Sequence, residues 1–193
     1  MNLEAVYPFA VFLHVVGAVG LGAAVGVEAL ALGRLRRAAT TADARSWLRQ
    51  LALGGRIGPY SMLAVLASGI WMMATVWGHA PWISTAFAGM VAMGALAGGV
   101  SGRAPKRLGA ALQAERGPEP SANVRARLGA PVLTASLWIR AGLLVGVLAL
   151  MTVKPSGAAA SALILTGTAA LGLAASAGSL ASARRKGTQA GET

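Results

Sequence analysis

The chain has 193 residues, of which 55% are hydrophobic and only 12% charged, where a soluble domain carries about 25% charged residues; an ordinary soluble domain is excluded from the outset. Seventeen Lys and Arg against six Asp and Glu give a net charge of +11 and a pI near 11.8. The basic residues stand in short blocks between apolar runs rather than on one folded face with polar readers, which argues against nucleic acid and for anionic lipid headgroups as their partner. There is no cysteine, so disulfides, thiolate-ligated haem, iron–sulfur clusters and zinc-thiolate sites are excluded.

No Asp, Glu, Lys or Arg occurs from Ile57 to Gly102 or from Pro155 to Ala183. About 20 helical residues cross the hydrocarbon core of a bilayer, so uncharged apolar runs of this length read as membrane spans. The first expected span covers residues 8–33. A cleaved signal peptide needs a basic leading segment and a short apolar core; the residues before Tyr7 contain no Lys or Arg, and the apolar run is too long. It reads as a permanent span.

Arg34, Arg36 and Arg37 end that run, and residues 34–58 form a polar segment around Trp47 and Leu48 that suits a short interfacial helix. Gly54-Gly55 and Gly58-Pro59 punctuate its junction with a second span, residues 60–78. His79-Ala80-Pro81 is a tight turn into a third span, residues 82–102, so the two are expected to form a helical hairpin. Residues 103–130 are the longest polar stretch, and Gly117-Pro118-Glu119-Pro120-Ser121 reads as a flexible loop. The fourth span, residues 132–153, contains Arg140. Lys154-Pro155-Ser156-Gly157 turns into a fifth, residues 158–182, built almost wholly from Ala, Gly, Ser, Thr and Leu. The expected fold is an all-α bundle of five spans in one transmembrane domain.

The segments after spans one, three and five hold six, six and three of the 17 Lys and Arg residues. Cytoplasmic loops are enriched in these residues, so the distribution implies an outside N-terminus, a cytoplasmic C-terminus, cytoplasmic loops at 34–58 and 103–130, and a bacterial inner membrane. Trp77 and Trp82 flank the outer turn, where an aromatic belt belongs. Small residues in spans one, three and five, including Gly22-x-x-x-Gly26, favour close helix packing within the bundle, with a homo-oligomer interface as the alternative.

Ionisable residues inside a membrane are costly and point to function or to pairing. His14 lies near the outer end of span one, above a stripe through Gly17, Ala18, Leu21, Gly22 and Val25. An imidazole over a glycine-lined groove suits axial ligation of haem; the alternative is a neutral histidine hydrogen-bonded to a neighbouring helix. Glu28 and Arg140 sit at equal depth toward the inner side with opposite signs, so an ion pair is expected. His79, in the outer turn, is either a solvent-facing residue or a second metal ligand near His14. Met72 and Met73, with His14 and His79, would suit Cu(I). There is no phosphate-binding loop, HExxH motif or carboxylate pair, which leaves redox chemistry, transport or a non-enzymatic role.

Phe12-Leu13-His14-Val15-Val16-Gly17-Ala18, the Arg-rich segment after it, the tight turn between spans two and three, and Leu150-Met151-Thr152-Val153-Lys154-Pro155 together resemble the bacterial CopD/HemJ-like membrane superfamily, above all its uncharacterised integral membrane members. The resemblance covers most of spans one to four through short motifs. It implies a core of four or more helices, a first-helix histidine near the periplasmic side matched here by His14, and b-type haem or copper as cofactor. The HemJ branch, a haem-dependent protoporphyrinogen oxidase, relies on a lysine in its third helix, and span three here has none. The reading that follows is a membrane protein that binds haem through His14 for electron transfer or haem handling, with copper handling or a structural accessory role as the alternatives.

Overall fold

The computed structural model describes residues 3–102, 104–128 and 130–190; Arg103 and Gly129, at the two ends of the expected loop, lie outside the described residues. Among the described residues there are seven α-helices, α1 (Leu3–Leu35), α2 (Thr41–Met72), α3 (Pro81–Leu96), α4 (Ala104–Ala114), α5 (Ala122–Leu128), α6 (Pro131–Val153) and α7 (Ala158–Ala190), with short π-helical continuations of α2 and α3 at Met73–Trp77 and Ala97–Ser101. No strand occurs among the described residues. Five helical segments, Ala5–Leu35, Thr41–Trp77, Pro81–Ala114, Ala122–Val153 and Ala158–Ala181, are long and apolar enough to cross a membrane, and the chain is a multi-pass membrane protein. Exposed Phe9, Phe12, Val19, Leu63, Leu163 and Leu171 give it an apolar exterior, as lipid contact requires.

Helix α1 runs unbroken for 33 residues, about 50 Å at 1.5 Å per residue, and so exceeds a hydrocarbon core of about 30 Å. Thr40 starts α2: its extended backbone leaves the side-chain oxygen free to accept from the Asp43 amide at 3.1 Å, satisfying one of the unpaired donors at the helix start. The expected break at Gly54-Gly55 and Gly58-Pro59 is absent, and the polar segment is the first half of α2 itself. Gly54 serves packing instead of turning. A Cβ at Gly54 would lie 3.2 Å from the Ala24 carbonyl oxygen, and one on Gly17 of α1 would lie 2.8 Å from Val65 Cγ2 and 2.9 Å from the Ser61 carbonyl oxygen. The α1–α2 pair is thus locked by small residues on both helices, since lipid supplies no hydrophobic force between them.

Helix α2 ends in a π turn, Met73–Trp77, closed by the Gly78 amide on the Met73 carbonyl at 2.9 Å. Gly78 has φ +63, a left-handed conformation that residues with a Cβ rarely adopt. Pro81 then occupies the first turn of α3, where its missing amide hydrogen is not needed. The turn is as short as expected, but α2 and α3 barely pack on each other; α3 lies against α6 and α7. The expected hairpin is therefore splayed.

The third unit of packing is α6 with α7. Cβ atoms on Gly142 and Gly172 would run into the Thr168 and Trp138 backbones respectively, so the two backbones touch and any side chain there would force them apart. Helix α6 is the most buried of the five spans, with Leu137, Leu143, Leu144, Val147 and Leu150 inside.

The expected polar loop at 103–130 contains α4 and α5 and folds as a cap. Leu108, Leu112 and Val124 join Leu35, Ala44 and Leu51 in one buried cluster. Arg45 donates through Nη2 to the Leu112 carbonyl at 2.8 Å, and Thr41 donates through its hydroxyl to the Gly117 carbonyl at 2.8 Å. The Arg36 guanidinium donates to the Ala130 carbonyl at 3.2 Å, and Arg34 stacks over Trp47 at 5.8 Å. Burial around Arg36 lowers its pKa, though an arginine stays charged throughout the physiological range. Several arginines that read as plain topology signals thus also tie the cap to the ends of α1 and α2.

Candidate functional site: an apolar cavity beside His14

Because α2 and α3 diverge from their turn, a cleft opens between the α1–α2 pair and the α3–α6 pair. It is a half-open cavity of about 640 Å³, inside the range of roughly 300–1,000 Å³ common for small-molecule and cofactor sites. Leu66, Ile70, Ile83, Phe87 and Met90 supply apolar wall, and His14, Ser84, His79 and Lys154 are the polar or basic residues that line it.

His14 reaches the cavity from α1, and α2 holds it in place. Its Nδ1 lies 3.1 Å from the Val65 carbonyl oxygen and 3.1 Å from Ser68 Oγ. The Ser68 hydroxyl donates its own hydrogen to the carbonyls of the preceding turn, Ala64 and Val65. Both groups facing Nδ1 are therefore acceptors, and the proton belongs on Nδ1. A neutral imidazole with Nδ1–H carries its lone pair on Nε2, and among the described residues nothing else hydrogen-bonds the ring. Gly69 makes room: a Cβ there would lie 3.3 Å from His14 Cε1. An imidazole whose Nδ1–H is bound to a backbone carbonyl, leaving Nε2 available, is the arrangement that orients histidine ligands to metals.

The expected groove beneath His14 does not form. Gly17 is buried against α2, Gly22 faces open space, and neither lines the cavity; Leu21, between them on the stripe, is buried in the cluster with Val65, Met90 and Leu143. The space that His14 borders comes from α2, α3 and α6. Ser68 and Gly69 were missed in the sequence because each is unremarkable alone; the available signal was a small polar and a small apolar residue near the C-terminal end of α2, at the depth of His14.

His79 stands exposed in the turn and borders the same cavity. So do Met72, Met73, Met90 and Met151, whereas Met62 packs 3.2 Å from the Cβ position of Gly94 and Met93 is core. No group of three or more His, Asp or Glu converges among the described residues. At the mouth, Lys154 Nζ lies 4.1 Å from the Trp77 ring and 5.9 Å from that of Trp82, and the two indoles meet edge to face at 6.0 Å.

The second intramembrane feature is Glu28 on α1 and Arg140 on α6. The Arg140 Nη2 donates to Glu28 Oε1, with side-chain exposures of only 6% and 14%. On α1, Glu28 follows His14 by 14 residues, about 21 Å along the axis and within about 40° of the same face. One face of α1 therefore carries the imidazole near one end of the seam and the carboxylate near the other.

No protein family, curated protein or solved structure matches this chain.

Removing one partner of a buried pair strands the other charge and costs about 3–5 kcal/mol. Arg140→Leu is therefore expected to lower thermal stability in detergent by that order or to abolish assembly, and adding Glu28→Gln should recover part of the loss. An Arg140→Leu protein as stable as wild type would remove the pair's structural role.

Proposed function

We propose that this protein is an inner-membrane haem protein, with its N-terminus outside and its C-terminus in the cytoplasm, in which His14 would hold b-type haem in the α1–α2–α3–α6 cavity. The observation that carries this reading is that the Val65 carbonyl and Ser68 Oγ both face His14 Nδ1, which favours the tautomer with its lone pair on Nε2, and that His14 lines an apolar cavity of cofactor size. When bound, haem supplies one-electron redox chemistry, so the function is electron transfer within the membrane or haem handling. The chain's own contributions are the imidazole, the Val65 and Ser68 groups that orient it, and apolar walls that keep water from the site. The resemblance of the first helix to CopD/HemJ-like proteins, with its early histidine, points the same way.

A second reading rests on a separate observation. Met72, Met73, Met90 and Met151 border the same cavity as His14 and His79, a soft donor set suited to Cu(I); on this reading the protein handles copper. One preparation separates the two. The haem reading expects protein purified from haem-replete cells to show a Soret band that His14→Ala abolishes while the variant still folds. A colourless protein without haem by pyridine hemochrome, carrying copper that is lost in His14→Ala, would establish the copper reading instead.

The orientation rests on the basic residues crowding the α1–α2 junction and the α4–α5 cap while the opposite turns hold only Lys154. Since the chain contains no cysteine, a single introduced one reports its side unambiguously. In intact cells a membrane-impermeant maleimide is expected to label Gly157→Cys but to reach Gln113→Cys only after permeabilisation. The reverse pattern would invert the topology.

A further inference from the structure

Lys154 is the only residue other than glycine with a positive φ among the described residues, at φ 49 and ψ 57. It caps α6 in the left-handed conformation, a position that helices usually fill with glycine because a Cβ is strained there. A sequence shaped only by the turn would carry glycine, as the chain does at Gly78, where φ is +63. The lysine side chain therefore calls for its own account, and its surroundings supply one.

The amine lies over the Trp77 ring and close to the Trp82 ring, on the rim of the His14 cavity. No carboxylate pairs with it among the described residues. Contact with two indole faces holds the ammonium at the mouth without neutralising it. Its depth follows from the fold. Fourteen residues separate His14 from Glu28 on α1, and fourteen separate Arg140 from Lys154 on the antiparallel α6; the Glu28–Arg140 pair sets the two helices in register, so the imidazole and the ammonium come to similar depth at the other end. An apolar cavity with a lone-pair donor on its wall and an unneutralised cation on its rim is shaped for an amphipathic anion: an apolar body inside and a carboxylate at the mouth.

We propose that Lys154 is an anion-binding residue of this cavity, which pairs with a carboxylate substituent of the bound tetrapyrrole and so fixes which edge of the macrocycle faces out. This rests on the haem reading of the cavity. Lys154 acts on affinity and orientation, and His14 on coordination, so the two contributions can be measured apart.

The test titrates ferric haem and its dimethyl ester, which lacks both carboxylates, into ligand-free full-length protein in nanodiscs, following the His14-dependent Soret band. Because Lys154 is exposed, its pairing is worth about a fivefold change in affinity. Wild type is expected to prefer the free acid to the ester by a factor about fivefold larger than Lys154→Met does, and comparing ratios cancels the ester's greater partition into lipid. Lys154→Arg, which keeps the charge, should retain the preference. A His14-dependent band with the same acid-to-ester ratio in wild type and Lys154→Met would overturn the subsite while leaving the haem reading intact. The absence of a His14-dependent band with either compound would overturn both.

Discussion

A carboxylate and a guanidinium held together in the apolar interior join the two halves of this bundle. Elsewhere α1 and α6 touch along a narrow seam, and the strong polar contact between the α1–α2 pair and the α3–α6–α7 group is Glu28 with Arg140. Either charge alone would be costly inside a membrane. Their pairing ties α1 to α6 in one register, and in that register the two helices also bring together His14 and Lys154 at the far end, one on the wall and the other on the rim of the same cavity.

Packing explains why a cavity lies there. Within each half, small residues let backbones touch: Gly17 and Gly54 between α1 and α2, Gly142 and Gly172 between α6 and α7. Between the halves the facing residues include His14, Met72, Met90 and Phe87, whose bulk keeps backbones apart. The π turn and Gly78 send α3 away from α2 and onto α6, so the cleft stays open on the side that α3 would have filled in a closed hairpin. Close contact within the halves and looseness between them are two outcomes of one rule, that helices in lipid approach as near as their side chains permit.

The five spans were legible because hydropathy and charge are summed over some 20 residues, and local errors average out. Equal depth and opposite sign were likewise enough to bring Glu28 and Arg140 to mind as partners, since so few charges compete inside the bundle. Reading failed where one residue type has two uses. Gly54 and Gly58 look like helix breaks and are packing surfaces in a continuous α2, because a glycine's missing side chain serves a turn and a close helix contact equally well. The segment from Gly117 to Ser121 looks like a flexible loop, yet Thr41 binds the Gly117 carbonyl within it and Arg45 the Leu112 carbonyl before it, which pins the cap down; those long-range bonds leave no periodic trace. His14 was visible as an unusual residue, but the groove assigned to it ran along its own helix. The true surroundings come from α2, α3 and α6, and a single helix's pattern does not contain them.

The functional account depends on one property of His14: the proton sits on Nδ1, between the Val65 carbonyl and Ser68, and Nε2 is left bare. Nitrogen-15 spectra of histidine-labelled, ligand-free protein at neutral pH measure this directly, with His79→Ala assigning the two imidazoles. The account predicts a neutral His14 ring with a protonated Nδ1 and an unprotonated Nε2, and a change in that pattern when Ser68 is replaced by alanine. A His14 ring protonated at Nε2, or at both nitrogens, would contradict it.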